Sequence, residues 1–190
     1  MVASLLASIR KCRECDGLPL GPRPIVQADV RSRILIVGQA PGQITHHKGV
    51  GFDDPSGHRL REWLGVDRQV FYDPCKFALV PMGFCYPGKD KGGDLPPRAE
   101  CAPKWRDELL GRLENIELTL VIGQYALAWY LGDERGKTLS DTVANWRQFW
   151  PQVLPLPHPS PRNIVWFRKN PVLEREILPA LKVRVAEILV

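Results

Sequence analysis

Three short apolar runs, each closed at once by glycine or proline, constrain the fold of this chain more than any other feature. Arg33-Ile34-Leu35-Ile36-Val37 ends in Gly38-Gln39-Ala40-Pro41-Gly42, Leu118-Thr119-Leu120-Val121-Ile122 ends in Gly123, and Val153-Leu154-Pro155-Leu156 ends in Pro157-His158-Pro159-Ser160. Runs this rich in apolar and β-branched residues suit strands buried on both faces, as in a parallel sheet covered by helices. Phe77-Ala78-Leu79-Val80, broken by Pro81 and Gly83, reads as one more strand.

Helical patterns lie between these runs. Trp105, Leu109, Leu113 and Ile116 recur at helical spacing after Pro103, a residue suited to a first turn. Tyr125 to Leu131 forms another helical stretch. Asn170-Pro171 opens a last helix that turns Val172, Leu173, Ile177, Leu181, Val185 and Ile188 to the core, with Pro179 expected to kink or interrupt it. The alternation predicts a three-layer α/β/α sandwich around a central, largely parallel four-stranded sheet. In such folds ligands bind at the carboxyl ends of the strands, here after Val37, Val80 and Leu156.

The length of 190 residues fits one domain, 1–190, and 44% hydrophobic with 25% charged residues is a globular balance. The Val2 to Ile9 run is too short to span a bilayer and precedes its basic residues, unlike a signal peptide, so the expectation is a soluble, cytoplasmic protein with no membrane partner. A formal charge of +5 favours a polyanionic partner. No Gly-x-x-x-x-Gly-Lys-Ser/Thr sequence or acidic magnesium cluster is present, which argues against a nucleotide hydrolase.

Cys12 and Cys15 form a short pair, and Cys85 and Cys101 lie far downstream at the two ends of a Pro/Gly-rich stretch, 81–103, that reads as a long loop. In a reducing compartment these thiols read as the ligands of one centre that ties the N-terminus to the loop, with a structural role. Zinc and an iron-sulfur cluster both accept four thiolates, and spacing does not choose between them. Cys75 is unmatched and reads as a packed free thiol.

The ordered combination of Gly38-Gln39-Ala40-Pro41-Gly42, Gly51-Phe52, Ser56-Gly57, Leu60 and His158-Pro159-Ser160 resembles the uracil-DNA glycosylase superfamily. The four cysteines resemble its iron-sulfur branch, which makes a structural 4Fe-4S cluster the expected cofactor and zinc the alternative. The resemblance runs from Cys12 to the last helix. It implies a monomeric, monofunctional DNA glycosylase of base excision repair that acts on uracil and other deaminated bases and leaves an abasic site.

The chemistry asks for the residue types that the resemblance supplies. Breaking the bond between base and deoxyribose leaves a cationic sugar and an anionic base, so the catalyst must stabilise that anion and direct water to the sugar. The base must first leave the stack. By resemblance, Phe52 stacks on the flipped base, His158 donates to its oxygen, and Gly38 to Gln43 curl under base and sugar. Ser160, Arg162 and Asn163 form the segment that enters the minor groove, and Arg162, Arg168 and Lys169 meet phosphates.

The chain also departs from the family. The acidic residue that many relatives carry after the first glycine is Gln39 here, and Gln43 replaces another common acidic position; neither amide is a general base. Gln39 is then expected to orient water, and only one of Asp53 and Asp54 can face the substrate; Asp53 is the carboxylate candidate. His46 and His47 read as exposed loop histidines. The Asn that relatives use to read the base is replaced by Leu79-Val80-Pro81-Met82-Gly83-Phe84, so backbone around Pro81, Gly83 and Phe84 is expected to contact it with looser discrimination. The alternative reading is a non-catalytic damaged-DNA-binding protein that keeps the pocket and the cysteine clip.

Overall fold

A computed structural model describes the whole chain, Met1 to Val190. From the N-terminus come α1 (Val2–Arg10), β1 (Ile34–Val37), α2 (Gln43–Lys48), α3 (Pro55–Leu64), α4 (Arg68–Phe71) and β2 (Phe77–Leu79). A small hairpin of β3 (Lys89–Asp90) and β4 (Gly93–Asp94) precedes α5 (Cys101–Leu110), β5 (Leu118–Ile122) and α6 (Gln124–Leu131). The chain closes with α7 (Leu139–Ala144), β6 (Val153–Leu156), α8 (Ile164–Lys169) and α9 (Leu178–Leu189).

The four long strands form one parallel sheet in the order β2-β1-β5-β6. Side chains alternate across a strand, so β1 feeds two cores. Ile34 and Ile36 pack with Leu60, Trp63, Leu181, Val185 and Ile188 of α3 and α9, while Leu35 and Val37 pack with Leu5, Ile9, Leu109 and Leu127 of α1, α5 and α6. Each such burial contributes roughly 1.5–3 kcal/mol. The expected three-layer α/β/α arrangement is the one observed.

Both prolines that look misplaced in the sequence sit where they cost little. Pro155 lies in β6, which pairs only with β5 and so has a free edge. Pro179 directly follows a π-helical turn at Leu173–Ile177 that runs on into α9, and this widened turn accommodates a ring that a regular α-helix would exclude. The stretch after Pro81, expected as one long loop, contains the β3–β4 hairpin and ends where α5 begins at Cys101. No helix is long and apolar enough to cross a membrane.

Because β1 lies between β2 and β5, the chain leaves β1 toward one side of the sheet and later crosses to the other. The crevice at the carboxyl ends of such strands is where α/β folds place their ligands. Here a cleft opens at that end, lined by residues from the loops after β1, β2, β5 and β6.

Candidate active site

The loop after β1 is laced to the segment after β2. Gly38 and Gln39 accept hydrogen bonds through their carbonyls from the N–H groups of Met82 (2.8 Å) and Gly83 (2.9 Å). The N–H groups of Gln39 and Ala40 have no partner within the protein and lie on the cleft.

Phe52 crosses this loop with its backbone in the left-handed region, φ 54°, the one non-glycine residue in the chain to do so. A phenylalanine there costs about 1–3 kcal/mol and persists only where its surroundings enforce it. Three neighbours do. A Cβ on Gly57 would stand 1.6 Å from the Phe52 carbonyl oxygen, so only glycine allows α3 to start this close. Arg61 donates to that oxygen at 3.3 Å, and the Tyr72 hydroxyl donates to the Gly51 carbonyl at 3.0 Å. The ring meets Phe71 edge-on, its Cζ lies 3.4 Å from where a Gly38 Cβ would be, and it lines the cleft.

His158 stands between two prolines beyond β6. Its Nδ1 accepts the N–H of Ser160 at 3.2 Å, which in the neutral imidazole places the proton on Nε2. Burial pushes its pKa below the usual 6.5, with Asp54 and Asp94 acting weakly the other way, so a neutral donor faces the cleft. The Asn163 amide donates to the His158 carbonyl at 2.8 Å, and Arg59 donates to the Pro159 carbonyl at 3.3 Å while lying over the Phe167 ring. Helix α3 therefore holds both candidate groups, Phe52 through Gly57 and Arg61, and His158 through Arg59.

Gln43 and Pro81 also line the cleft. Gly83 and Phe84 do not: Gly83 packs against Pro97, and Phe84 is 1% exposed with its N–H committed to Cys101 Sγ at 3.3 Å. The N–H groups of Met82 and Gly83 are spent on the β1 loop, and the Val80 and Pro81 carbonyls are held by the buried Arg106. Backbone donors from 81–84 are thus unavailable to a base, a correction to the expectation from sequence.

Asp53 is likewise turned away. Its carboxylate pairs with Arg68 at 2.6 Å and Lys48 at 3.5 Å, and the hydrogen bond from Arg68 holds it below the usual carboxylate range. Its neighbour Asp54 lines the cleft and caps α3, accepting the Gly57 N–H at 2.8 Å. Adjacent residues point to opposite sides of an extended backbone, and the cap decides which one faces in. The Asp54-Pro55 pair is itself a helix-start signal readable in the sequence. One Nε2–H of Gln39 is committed to the Leu95 carbonyl at 2.7 Å, which turns this side chain toward the segment at 94–95.

His46 is not an exposed loop residue. It lies 6% exposed in α2, against Tyr86, while His47 is exposed. The carbonyls of both accept from Arg23, whose guanidinium sits where a Gly49 side chain would be and supplies a cation to the carboxyl end of α2. At the other rim, Ser160 Oγ accepts the Arg162 N–H at 3.2 Å and shapes the turn Pro161–Asn163. Arg162, Arg168 and Lys169 are exposed along this turn and α8, together with the apolar Ile164 and Val165.

The four expected metal ligands fall in one electrostatic neighbourhood. Burial pushes Cys85 up to about 11, and the backbone N–H of Arg23 opposes the shift while Cys15 and Cys12 add to it. Burial pushes Cys101 up to about 12, with the Phe84 N–H opposing and Cys85, Cys15 and Cys12 adding. No three His, Cys, Asp or Glu side chains converge closely enough to hold a single ion. Two backbone donors aimed at the sulfurs of Cys85 and Cys101, and the influence of Cys12 and Cys15 on both, are the features here that a thiolate-ligated group larger than one ion would use. Cys75 stands apart, beside Asp73 and Arg31.

The site thus combines a strained aromatic, a neutral imidazole with its proton on the open nitrogen and two unpartnered backbone amides, all at the switch point of a parallel sheet. The chain matches the Uracil DNA glycosylase superfamily over residues 25–182, a span that contains every one of these groups and begins after Cys12 and Cys15. The chain belongs to the uracil DNA glycosylase superfamily.

Proposed function

We propose that the protein is a monofunctional DNA glycosylase that hydrolyses the N-glycosidic bond of uracil and of other deaminated bases, hypoxanthine among them, and leaves an abasic site. The observation that carries this reading is His158: its Nδ1 is occupied by Ser160 N–H, so the neutral ring presents Nε2–H to the cleft that Phe52 lines. As the glycosidic bond breaks, its electron pair moves onto the base, and a donor fixed beside the base oxygen stabilises that charge more than it stabilises the ground state. Phe52 offers a flat face to the flipped ring, and the free amides of Gln39 and Ala40 lie under base and sugar. No side-chain amide follows β2, which supports loose discrimination among bases.

The exposed Arg162 and Arg168, with Ser160 and Asn163, are proposed to meet the DNA backbone and fill the vacated stack. Cys12, Cys15, Cys85 and Cys101 are proposed to hold a 4Fe-4S cluster through their thiolates, and the bound cluster would fasten the N-terminal segment to the 81–101 stretch. Zinc is the competing occupant. The role is structural: Cys85 is linked through Arg23 to α2, and Cys101 opens the helix whose Arg106 holds the Val80 and Pro81 carbonyls.

The commitment of Gln39 to Leu95 supports a second reading, a damaged-DNA-binding protein without turnover. Incubation with oligonucleotides bearing uracil, hypoxanthine or xanthine, followed by alkali, separates the two. Strand cleavage by wild type and none by His158→Ala supports the glycosylase. Binding to the uracil oligonucleotide without cleavage would establish the second reading.

A further inference from the structure

The β3–β4 hairpin brings one carboxylate, Asp94, against the loop that follows β1. We propose that Asp94 is the carboxylate this cleft presents to the deoxyribose, and that Gln39 is an amide because it straps the hairpin in place. The proposal rests on the glycosylase reading.

Gln39 Nε2 lies 2.7 Å from the Leu95 carbonyl oxygen and 3.4 Å from that of Asp94. A carboxylate at position 39 has no proton to give to either oxygen at neutral pH and would be repelled by both. The hairpin is closed by the pairs Lys89↔Asp94 and Asp90↔Gly93 and by the Leu95 N–H to the Gly88 carbonyl at 2.9 Å. On one side Asp94 Oδ2 lies 3.4 Å from where a Cβ on Gly42 would be. On the other, a Cβ on Gly93 would lie 3.7 Å from Arg162 Nη1. The hairpin therefore bridges the loop under base and sugar and the loop that follows His158.

The other carboxylates nearby are already engaged. Asp53 holds Arg68 and Lys48, Asp54 caps α3, and Asp90 accepts the Gly92 N–H at 2.7 Å. The Asp94 carboxylate lines the cleft and joins none of the hydrogen bonds or ion pairs that hold these three; Lys89 stands opposite it in the hairpin and Tyr86 lies within its field. Its field reaches His158, where it acts alongside Asp54.

In the reaction, the bond from C1′ to the base nitrogen breaks and its electron pair leaves with the base, held at the oxygen by His158. A water oxygen then bonds to C1′, and the water's proton passes to the Asp94 carboxylate and on to solvent. Before capture, the same carboxylate stabilises the cationic sugar.

Two measurements on the full chain test this. The first is single-turnover release from a uracil oligonucleotide. The second needs no turnover: the ratio of affinities for DNA carrying a cationic pyrrolidine abasic mimic and a neutral tetrahydrofuran one. Asp94→Asn, an isosteric change at an exposed position, should slow release by about 10²-fold and abolish the preference for the cationic mimic. Gln39→Glu should lose the same preference, and Asp90→Asn, with the same change of charge on the same hairpin, should keep it. The proposal is overturned if Asp94→Asn retains the preference, if Asp54→Asn alone removes it, or if Gln39→Glu accelerates release. Wild type that releases no base sinks the glycosylase reading; loss of the cationic preference in Asp94→Asn would still place this carboxylate at the sugar.

Discussion

Gly57→Ala probes how the candidate site is built more sharply than removal of any reactive group. The new methyl would stand 1.6 Å from the Phe52 carbonyl oxygen and 2.8 Å from its Cβ, and the obstructing oxygen belongs to the backbone. Either α3 moves or the left-handed turn at Phe52 opens. Forcing the methyl into this packed contact costs about 1–3 kcal/mol whichever element gives way, and a displaced α3 also breaks the Asp54 cap on the Gly57 N–H, worth roughly 1–2 kcal/mol. The sum, about 2–5 kcal/mol, corresponds to a melting temperature lower by roughly 5–15 °C for a chain of this size. Base release should fall further than stability does, because the same shift displaces Phe52 from Gly38 and loosens the Arg59 hold on the His158 turn. Urea denaturation and single-turnover excision on one preparation check both parts. Unfolding within about 0.5 kcal/mol of wild type, with full excision, would refute the claim that Gly57 locks Phe52.

His158 has its pKa lowered by burial, so it contributes stability that is fully present above about pH 6.5 and is lost as pH falls toward the lowered native value. The stability of wild type relative to His158→Gln should therefore grow from about pH 5 to about pH 7, read from urea melts across pH, and a flat difference would show that the ring is not desolvated. In the proposed reaction the neutral ring is the donor, so excision should not fall as pH rises from about 5 through 6.5; a fall over that range would mean that the imidazolium is required. Cys101→Ser should lower iron and acid-labile sulfide content and reduce thermal stability. Equal iron, sulfide and melting temperature in the two proteins would remove the cluster, and stoichiometric zinc without sulfide would replace it.

The sheet was readable from the chain because its strands are continuous apolar runs. Ile34–Val37, Leu118–Ile122 and Val153–Leu156 are bounded by the glycines and prolines that mark them. Phe52 and His158 were readable as motif positions, and both line the cleft. What stayed hidden depends on distant partners. Local sequence does not reveal that Arg59 reaches Pro159, that Arg106 reaches Val80, or that Gln39 reaches Leu95. The choice between Asp53 and Asp54 was legible in principle, since Asp54-Pro55 is a helix start and a capping carboxylate turns inward here. His46 reads as exposed because it is a polar residue in a glycine-bounded segment, whereas Tyr86 covers it from a segment forty residues later in the chain. The glutamine at position 39 looked like a lost acid only because a hairpin of two-residue strands leaves almost no pattern in the sequence.

The central claim is that this cleft breaks a glycosidic bond, and the direct measurement is chromatographic detection of the free base. Wild type incubated with a uracil-containing oligonucleotide should release uracil and leave an unbroken strand that alkali then cleaves, while His158→Ala, folded and still bound to the DNA, releases little or none. Free base at equal rates from both proteins would contradict the role of His158. No free uracil, hypoxanthine or xanthine from folded wild type would contradict the claim itself.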